Sequence, residues 1–309
     1  CDLRCVYCMK EKMQFLPRKD ILTLEEIERL CDNFIELGVE KIRLTGGEPL
    51  VRNDIIKLIE KLNNKKEKTN LKEITLTTNG TLLKKYAKQL KLNGVNRINV
   101  SLDTINPKKY NKITRFGNIE KVFDGINEAL DNNIKIKINT VVIKDFNENE
   151  IEELINWTSN KKIDLTFIEV MPMEETDISR EYQFISLSDT FSKLDKIYKF
   201  SKIDYSTGGP ARFYTSDLVS NKIGFISPLT NNFCASCNRV RISSTGKLFM
   251  CLGQNDFVDF REIMRKDYSD DYIKEKIKFA LNIKPKQHDF MIGEKINKYM
   301  KRHMNVTGG

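Results

Sequence analysis

Six of the seven cysteines in this 309-residue chain stand in two groups of three. Cys1, Cys5 and Cys8 follow C-x-x-x-C-x-x-C at the very start, with an aromatic, Tyr7, before the last; Cys234, Cys237 and Cys251 form a C-x-x-C followed by a third thiol farther on. Thiolates are soft ligands, and short spacings let several reach one inorganic centre. An ordinary [4Fe–4S] cluster takes four cysteines, yet no fourth lies near either group. A cluster held by three keeps one iron open to an outside ligand, which suits chemistry better than electron storage alone. Zinc is the alternative reading. It needs a fourth Cys, His, Asp or Glu, and the two histidines, His288 and His303, lie near the far end. Disulfides fit poorly, because the chain is large and the cysteine count odd. The seventh, Cys31, sits in the helical pattern "LTLEEIERLCDNFIELG" and reads as a small core residue.

Other residues beside these groups could bind a ligand. The glycines of "TGGEP" at 45–49 let backbone approach a ligand closely, although a strand-end turn explains them as well. In "CNRVRIS", Arg239 and Arg241 stand two apart, so an extended chain puts both on one face. Paired guanidinium groups grip phosphate oxygens; two solvated surface arginines are the plainer reading.

The elements that must carry these residues repeat along the chain. Short β-rich runs, "KIRLTGGE", "EITLTTNG", "RINVSLD", "IKINTVVI" and "LTFIEVM", alternate with amphipathic helical patterns. Apolar residues at helical spacing, such as Ile27, Leu30, Phe34 and Leu37, mark the helices, and Gly38, Gly94 and Asn133 stand where C-caps belong. Alternating strands and helices predict an α/β fold of right-handed βαβ units on a parallel sheet. Five visible strands fall short of a full eight-stranded barrel, so a partial barrel or a doubly wound sheet is expected. Either puts its chemistry at the carboxyl ends of the strands. The rhythm breaks near residue 175, which predicts a barrel domain over 1–175 and a smaller domain over 176–309 that carries the second cysteine group; "DDYIKEKIKFALN" reads as a late helix.

Composition sets broader limits. Hydrophobic residues make up 40% and charged residues 31%, an ordinary globular balance. No apolar run nears the roughly 20 residues of a membrane span, and a cytoplasmic protein is expected. The net charge of +9 suggests an anionic partner or simply a lysine-rich surface, with "NNKKEKTN" at 63–70 reading as solvated loop. A zinc-stabilised nucleic-acid binder would interleave aromatics with its basic residues for stacking, and "CNRVRIS" has none. A start on Cys rather than Met is expected of a chain lacking its natural beginning, so a leader and further functional residues upstream stay open.

"CDLRCVYC", followed by "TGGEP", resembles the radical S-adenosylmethionine enzymes, and the resemblance runs the length of the chain. It implies a partial (β/α)₆ TIM-like barrel and a [4Fe–4S] cluster on Cys1, Cys5 and Cys8. The open iron of that cluster chelates S-adenosylmethionine and cleaves it to a 5′-deoxyadenosyl radical. Gly46, Gly47 and Glu48 would lie against the methionine moiety. "GGPARFY", "FCASCNRVRISSTGKLFMCL" and the terminal "GG" are similar to the branch of that family that cyclises GTP at the start of molybdenum cofactor synthesis.

That branch implies a lyase with a second [4Fe–4S] cluster on Cys234, Cys237 and Cys251 that meets the guanine. By the same resemblance Tyr7, Gly47, Ser101 and Met171 contact S-adenosylmethionine, and Arg43, Thr77, Lys137, Arg239, Val240 and Arg241 contact GTP. Gly308 and Gly309 would reach into the active site, though a disordered tail is the default for a terminus. The branch implies an electron donor, a downstream enzyme that receives the product and a second copy of the chain as candidate partners, with no nucleic acid and no membrane. Two departures stand out: Thr166 occupies a position where relatives often carry arginine, and their arginine before the first cluster cysteine falls upstream of Cys1.

Overall fold

The structure is a computed structural model that describes residues 1–13, 15–171, 173, 183–231, 233–288 and 302–308. Its first half alternates strand and helix. Helix α1 (Leu24–Glu36) starts at Thr23, where Thr23 and Glu26 cap each other's backbone amides reciprocally. It is followed by β1 (Lys41–Leu44), α2 (Ile55–Lys65), β2 (Glu73–Thr78), α3 (Leu83–Leu92) and β3 (Arg97–Ser101). Then come α4 (Pro107–Thr114), α5 (Ile119–Asp131), β4 (Lys135–Val142), α6 (Ile151–Asn160) and β5 (Asp164–Glu169). Gly38, Gly94 and Asn133 all take positive φ just past α1, α3 and α5, as expected of C-caps. Helix α2 runs to Lys65 and so claims the start of the stretch expected as loop.

After α7 (Leu187–Tyr198) the chain forms β6 (Ser201–Lys202), β7 (Arg212–Ser216) and β8 (Val219–Ile226). One sheet holds them all in the order β1-β2-β3-β4-β5-β8-β7-β6. Strands β1 to β5 and β8 run parallel, while β7 and β6 add antiparallel hairpin edges. The sixth parallel strand thus comes from residues 219–226, and the sheet continues across the 175/176 division. Five strands were visible in the sequence because β8 follows a hairpin partner rather than a helix.

The two sheet faces differ in chemistry. Ile74, Leu76, Ile98, Val100, Ile136, Ile138, Leu165, Phe167, Ile223 and Phe225 face the helices and fill the main core. Parallel sheets are usually apolar on both faces. Here the alternate residues are Arg43, Thr75, Thr77, Arg97, Asn99, Ser101, Lys137, Asn139, Asp164 and Thr166. Such a face calls for a polar occupant.

The second sheet, β9 (Arg241–Ile242), β10 (Lys247–Phe249) and β11 (Phe257–Asp259), is antiparallel with β10 in the middle. With α8 (Phe260–Arg265) and α9 (Asp270–Asn282) it packs on α1. Leu30 and Phe34 of α1 share a core with Leu248, Met250, Phe260, Met264, Ile273 and Ile277. That shared helix fixes the second cysteine group beside the free edge at β1. The expected late helix spans residues 270–282, matching the pattern read there.

Candidate functional site

The first cysteine loop crosses the carboxyl ends of the strands. Its turn closes with the Cys8 amide donating to the Cys5 carbonyl at 2.8 Å, and Arg4 N and Val6 N donate to the carbonyls at the end of α4. A Cβ built on Gly47 would lie 2.8 Å from Cys1 Cβ and 2.9 Å from Cys1 N. Only glycine permits that approach, so "TGGEP" is the wall against which Cys1 rests. Glu48 is buried and accepts from Leu50 N (3.0 Å), Thr78 Oγ1 (2.8 Å) and Asn79 N (2.7 Å), which commits its carboxylate to holding that wall. Burial raises Glu48 to a pKa of about 7 in spite of these donors. Asp2 accepts from Asn79 Nδ2 and Thr81 Oγ1, a second tie between loop and barrel.

Tyr7 donates to Asp103 Oδ2 at 2.7 Å, and Asp103 Oδ1 accepts from Val141 N at 2.9 Å. Asp103 therefore orients the aromatic ring of the cysteine loop. The seven cysteines are free thiols. Burial, and then the neighbouring Cys8, hold the Cys5 thiol well above its ordinary pKa. Two thiolates in that setting are stabilised by a shared metal centre, and three of them in one loop fit the three protein-held corners of a cluster. Among the described residues no three His, Cys, Asp or Glu converge on a point suited to a single ion.

Below this loop lies the polar lumen. Registers align Arg43 with Thr75, then Thr77 with Asn99 and Asn99 with Lys137, then Ser101 with Asn139 and Asn139 with Thr166. Several of these side chains hold buried atoms with no hydrogen-bond partner: Arg43 Nε, Thr77 Oγ1, both amide atoms of Asn99, Asn139 Oδ1 and Thr166 Oγ1. Buried polar groups are nearly always satisfied, and a ligand accounts for a cluster of exceptions. At the amino ends of the strands, Glu73 bonds Arg97 (2.7 Å) and Lys41 (2.6 Å), and both cations donate to Thr207 O. The loop at 205–208 closes that end.

The expected ligand-binding cations converge. Lys137 is 5% exposed rather than a surface lysine. Burial, then Arg43 and Arg97, lower its pKa to about 7. Burial, then Arg97 and Arg239, bring Arg43 to about 10; burial and Arg239 do the same for Arg241. Arginines from β1 and from the second cysteine group thus face one space. The arrangement of Arg239 and Arg241 differs from the extended pair expected: β9 begins at Arg241, while Arg239 lies outside it, with Nη2 3.6 Å from Cys237 Sγ and its guanidinium over the Phe233 ring. Burial opposes ionisation of Cys237, yet the Arg239 amide and guanidinium bring its thiol below the ordinary value, which favours a thiolate ligand. Val240 is half-buried between the two arginines, Ser101 ends β3, and Met171 lies half-buried just past β5.

The carboxyl-terminal tail returns to this space. Arg302 donates to the carbonyls of Cys251 (3.2 Å), Leu252 (2.7 Å) and Gln254 (2.6 Å), and stacks over Phe249. Beyond that clamp Gly308 adopts φ +69, and a Cβ there would lie 2.5 Å from Thr45 Cγ2 and 2.9 Å from Gly46 N. Gly308 therefore sits against the "TGGEP" wall. Gly309 lies outside the described residues.

Comparison with known proteins fits this geometry. The Radical SAM superfamily matches residues 1–158 and the Molybdenum Cofactor Synthesis C family matches 163–290. Curated proteins named GTP 3′,8-cyclase from Brucella ovis and Brucella canis are each 50% identical over the whole chain and 90% of their own length. This chain belongs to the GTP 3′,8-cyclase family. It is a radical S-adenosylmethionine enzyme, and that family implies a [4Fe–4S] cluster and S-adenosylmethionine. Streptococcus suis SuiB, in a crystal structure bound to S-adenosylmethionine, shares the fold with a TM-score of 0.62 at 19% identity, over 90% of this chain and 65% of SuiB. The SuiB structure with precursor peptide SuiA gives a TM-score of 0.63 at 18% identity, with 64% of SuiB spanned. No helix among the described residues is long and apolar enough to cross a membrane.

Sequence reading missed several residues that line or support this space. Asn99, Asn139 and Asp103 are not singled out by the sequence, although "SLD" and "NTVV" read as polar strand ends at the chemical edge; their alternation with Ile98, Val100 and Ile138 was the available signal. Glu169 was missed as well. Fully buried at the end of β5, it accepts from Leu187 N (3.1 Å), Leu229 N (3.0 Å), Thr230 N (3.3 Å) and Thr230 Oγ1. It therefore pins α7 and the loop leading to Cys234. Glu169→Gln turns one acceptor into a donor facing amides, and leaving a buried donor unpaired costs about 1–3 kcal/mol. A melting temperature several degrees lower is expected; unchanged melting would show the clip unimportant.

Proposed function

We propose that this cyclase converts GTP to (8S)-3′,8-cyclo-7,8-dihydroguanosine 5′-triphosphate between two [4Fe–4S] clusters, one on Cys1, Cys5 and Cys8, the other on Cys234, Cys237 and Cys251. The observation that carries the reading is the lumen itself. Arg43, Lys137, Arg239 and Arg241 crowd it with excess positive charge, beside unpartnered hydroxyl and amide atoms, between the two cysteine groups. A triphosphate neutralises such charges, and bidentate arginine contacts fix its orientation.

When bound, the first cluster supplies the electron that cleaves S-adenosylmethionine to methionine and a 5′-deoxyadenosyl radical. This chain's own residues position the partners. Gly47 leaves room for Cys1, Tyr7 is held by Asp103, and Ser101 and Met171 stand at the carboxyl edge for the S-adenosylmethionine side. Thr77 and Lys137 hold the nucleotide below them, and the Arg302-clamped tail with Gly308 closes the space against water. The overall change moves one hydrogen atom from the ribose 3′ carbon to the deoxyadenosyl group, joins that carbon to guanine carbon 8 and reduces the resulting nucleotide by one electron and one proton. An electron donor is therefore a required partner, and an enzyme that consumes the cyclised nucleotide follows.

Anaerobic incubation with GTP, S-adenosylmethionine and dithionite tests the reading: 5′-deoxyadenosine and a cyclised nucleotide are expected together. About eight irons per chain would support two clusters; four irons, or zinc alone, would end the two-cluster reading.

Lys137 adds a pH test. With a pKa of about 7 it is partly neutral at neutral pH. A bound triphosphate favours the ammonium form, so binding takes up a proton and affinity falls as pH rises above 7. Between about pH 7.5 and 8.5 the GTP Kd is expected to rise several-fold, up to the tenfold per unit that one linked proton allows. Lys137→Met should flatten the profile; an equally steep profile in that variant would remove Lys137 from the site.

A further inference from the structure

We infer that Asn99 grips the ribose hydroxyls of the nucleotide and so sets which sugar carbon meets the radical, an inference that rests on the GTP reading above. Asn99 is 0% exposed, and neither Nδ2 nor Oδ1 has a hydrogen-bond partner. An asparagine amide offers two donors and two acceptor lone pairs. Burying them unsatisfied is unfavourable, so no folding argument keeps an asparagine here where valine or leucine would pack without that cost. A ligand that completes the amide supplies the reason.

The register gives its chemistry. Asn99 stands between Thr77 on β2 and Lys137 on β4, one inward-facing row below Ser101, Asn139 and Thr166. A neutral amide presenting a donor beside an acceptor suits a hydroxyl, which is both; it suits a phosphate poorly, because Oδ1 repels phosphate oxygen. The phosphates have Arg43, Arg239 and Arg241 nearby, and the proposed second cluster takes the purine. The ribose is the part of GTP left for the middle of the lumen. Asn139 Oδ1 and Thr166 Oγ1, also unpartnered, continue the neutral polar surface toward the carboxyl edge. Thr166 thereby reads as part of a sugar-facing wall.

Equilibrium dialysis of the anaerobically reconstituted enzyme without reductant tests this apart from turnover, using GTP, 2′-deoxyGTP and 3′-deoxyGTP. Wild type is expected to bind GTP about tenfold more tightly than at least one deoxy analogue, the scale of one buried hydrogen bond. Asn99→Ala should bind GTP and that analogue equally well. Asn99→Leu should do the same while melting, ligand-free, at or above the wild-type temperature, because it removes an unsatisfied amide; a structural role would instead lower melting and weaken all three nucleotides alike. Equal binding of all three by wild type overturns the inference while leaving GTP binding intact. Undiminished discrimination in Asn99→Ala overturns it too, as does a loss confined to S-adenosylmethionine affinity, which would place the adenosyl ribose there. Failure of wild type to bind GTP at all would instead remove the GTP reading, and this inference with it.

Discussion

Gly47→Ala is expected to disable the first cluster. The added methyl would lie 2.8 Å from Cys1 Cβ and 2.9 Å from its backbone nitrogen, closer than real Cβ contacts come, and these neighbours are backbone and the root of a side chain rather than a flexible tip. Cys1 must therefore move. A displacement near 1 Å at a reacting centre costs on the order of 100-fold in rate. Formation of 5′-deoxyadenosine should fall by about that factor, and iron should drop by about four per chain. Gly209→Ala is the control, since a Cβ there meets only Thr207 Oγ1 at 3.8 Å and should change neither quantity. Full iron and wild-type cleavage in Gly47→Ala would show that the wall at Cys1 yields without consequence.

Arg241→Ala is expected to separate substrate binding from radical formation. Arg241 sits in β9, half-buried, beside Arg239 and within the field of Arg43; burial and those like charges lower its pKa to about 10. Cys237 and Cys251 offset part of that strain, and a bound anion relieves more of it. Hydrogen bonds to charged groups are worth about 1.5–3 kcal/mol, so the GTP Kd should rise about 10- to 100-fold. Reductive cleavage of S-adenosylmethionine should persist, because Cys1, Cys5 and Cys8 are untouched, and more 5′-deoxyadenosine should form per cyclised product. The variant should melt no lower than wild type, since one of several mutually repelling cations is gone. Wild-type GTP affinity would refute the phosphate role.

The thiolate spacings, the helix patterns with their caps and the polar strand ends could all be read without coordinates, because each is local: a cap, a turn or a cysteine loop depends on residues within a few positions of one another. From these came the parallel sheet, the edge that carries the chemistry and the two cysteine groups. The sixth parallel strand could not be read this way, because β8 joins β5 only after an antiparallel excursion through β6 and β7. The paired placement of the two cysteine groups depends on α1 contributing Leu30 and Phe34 to a core shared with a module more than 200 residues on.

Lys137 shows the same division at one residue. Its alternation with Ile136 and Ile138 told which neighbours share its face, but burial and the cations around it arise from strands distant in sequence. For Gly308 only the resemblance pointed to the active site; Arg302 fastens the tail to the Cys251 loop, and Gly308 lies against Gly46. What the chain alone determined was which chemistry its ligands could perform; folding decided where those groups meet, because charge, desolvation and missing partners are properties of a neighbourhood rather than of a segment.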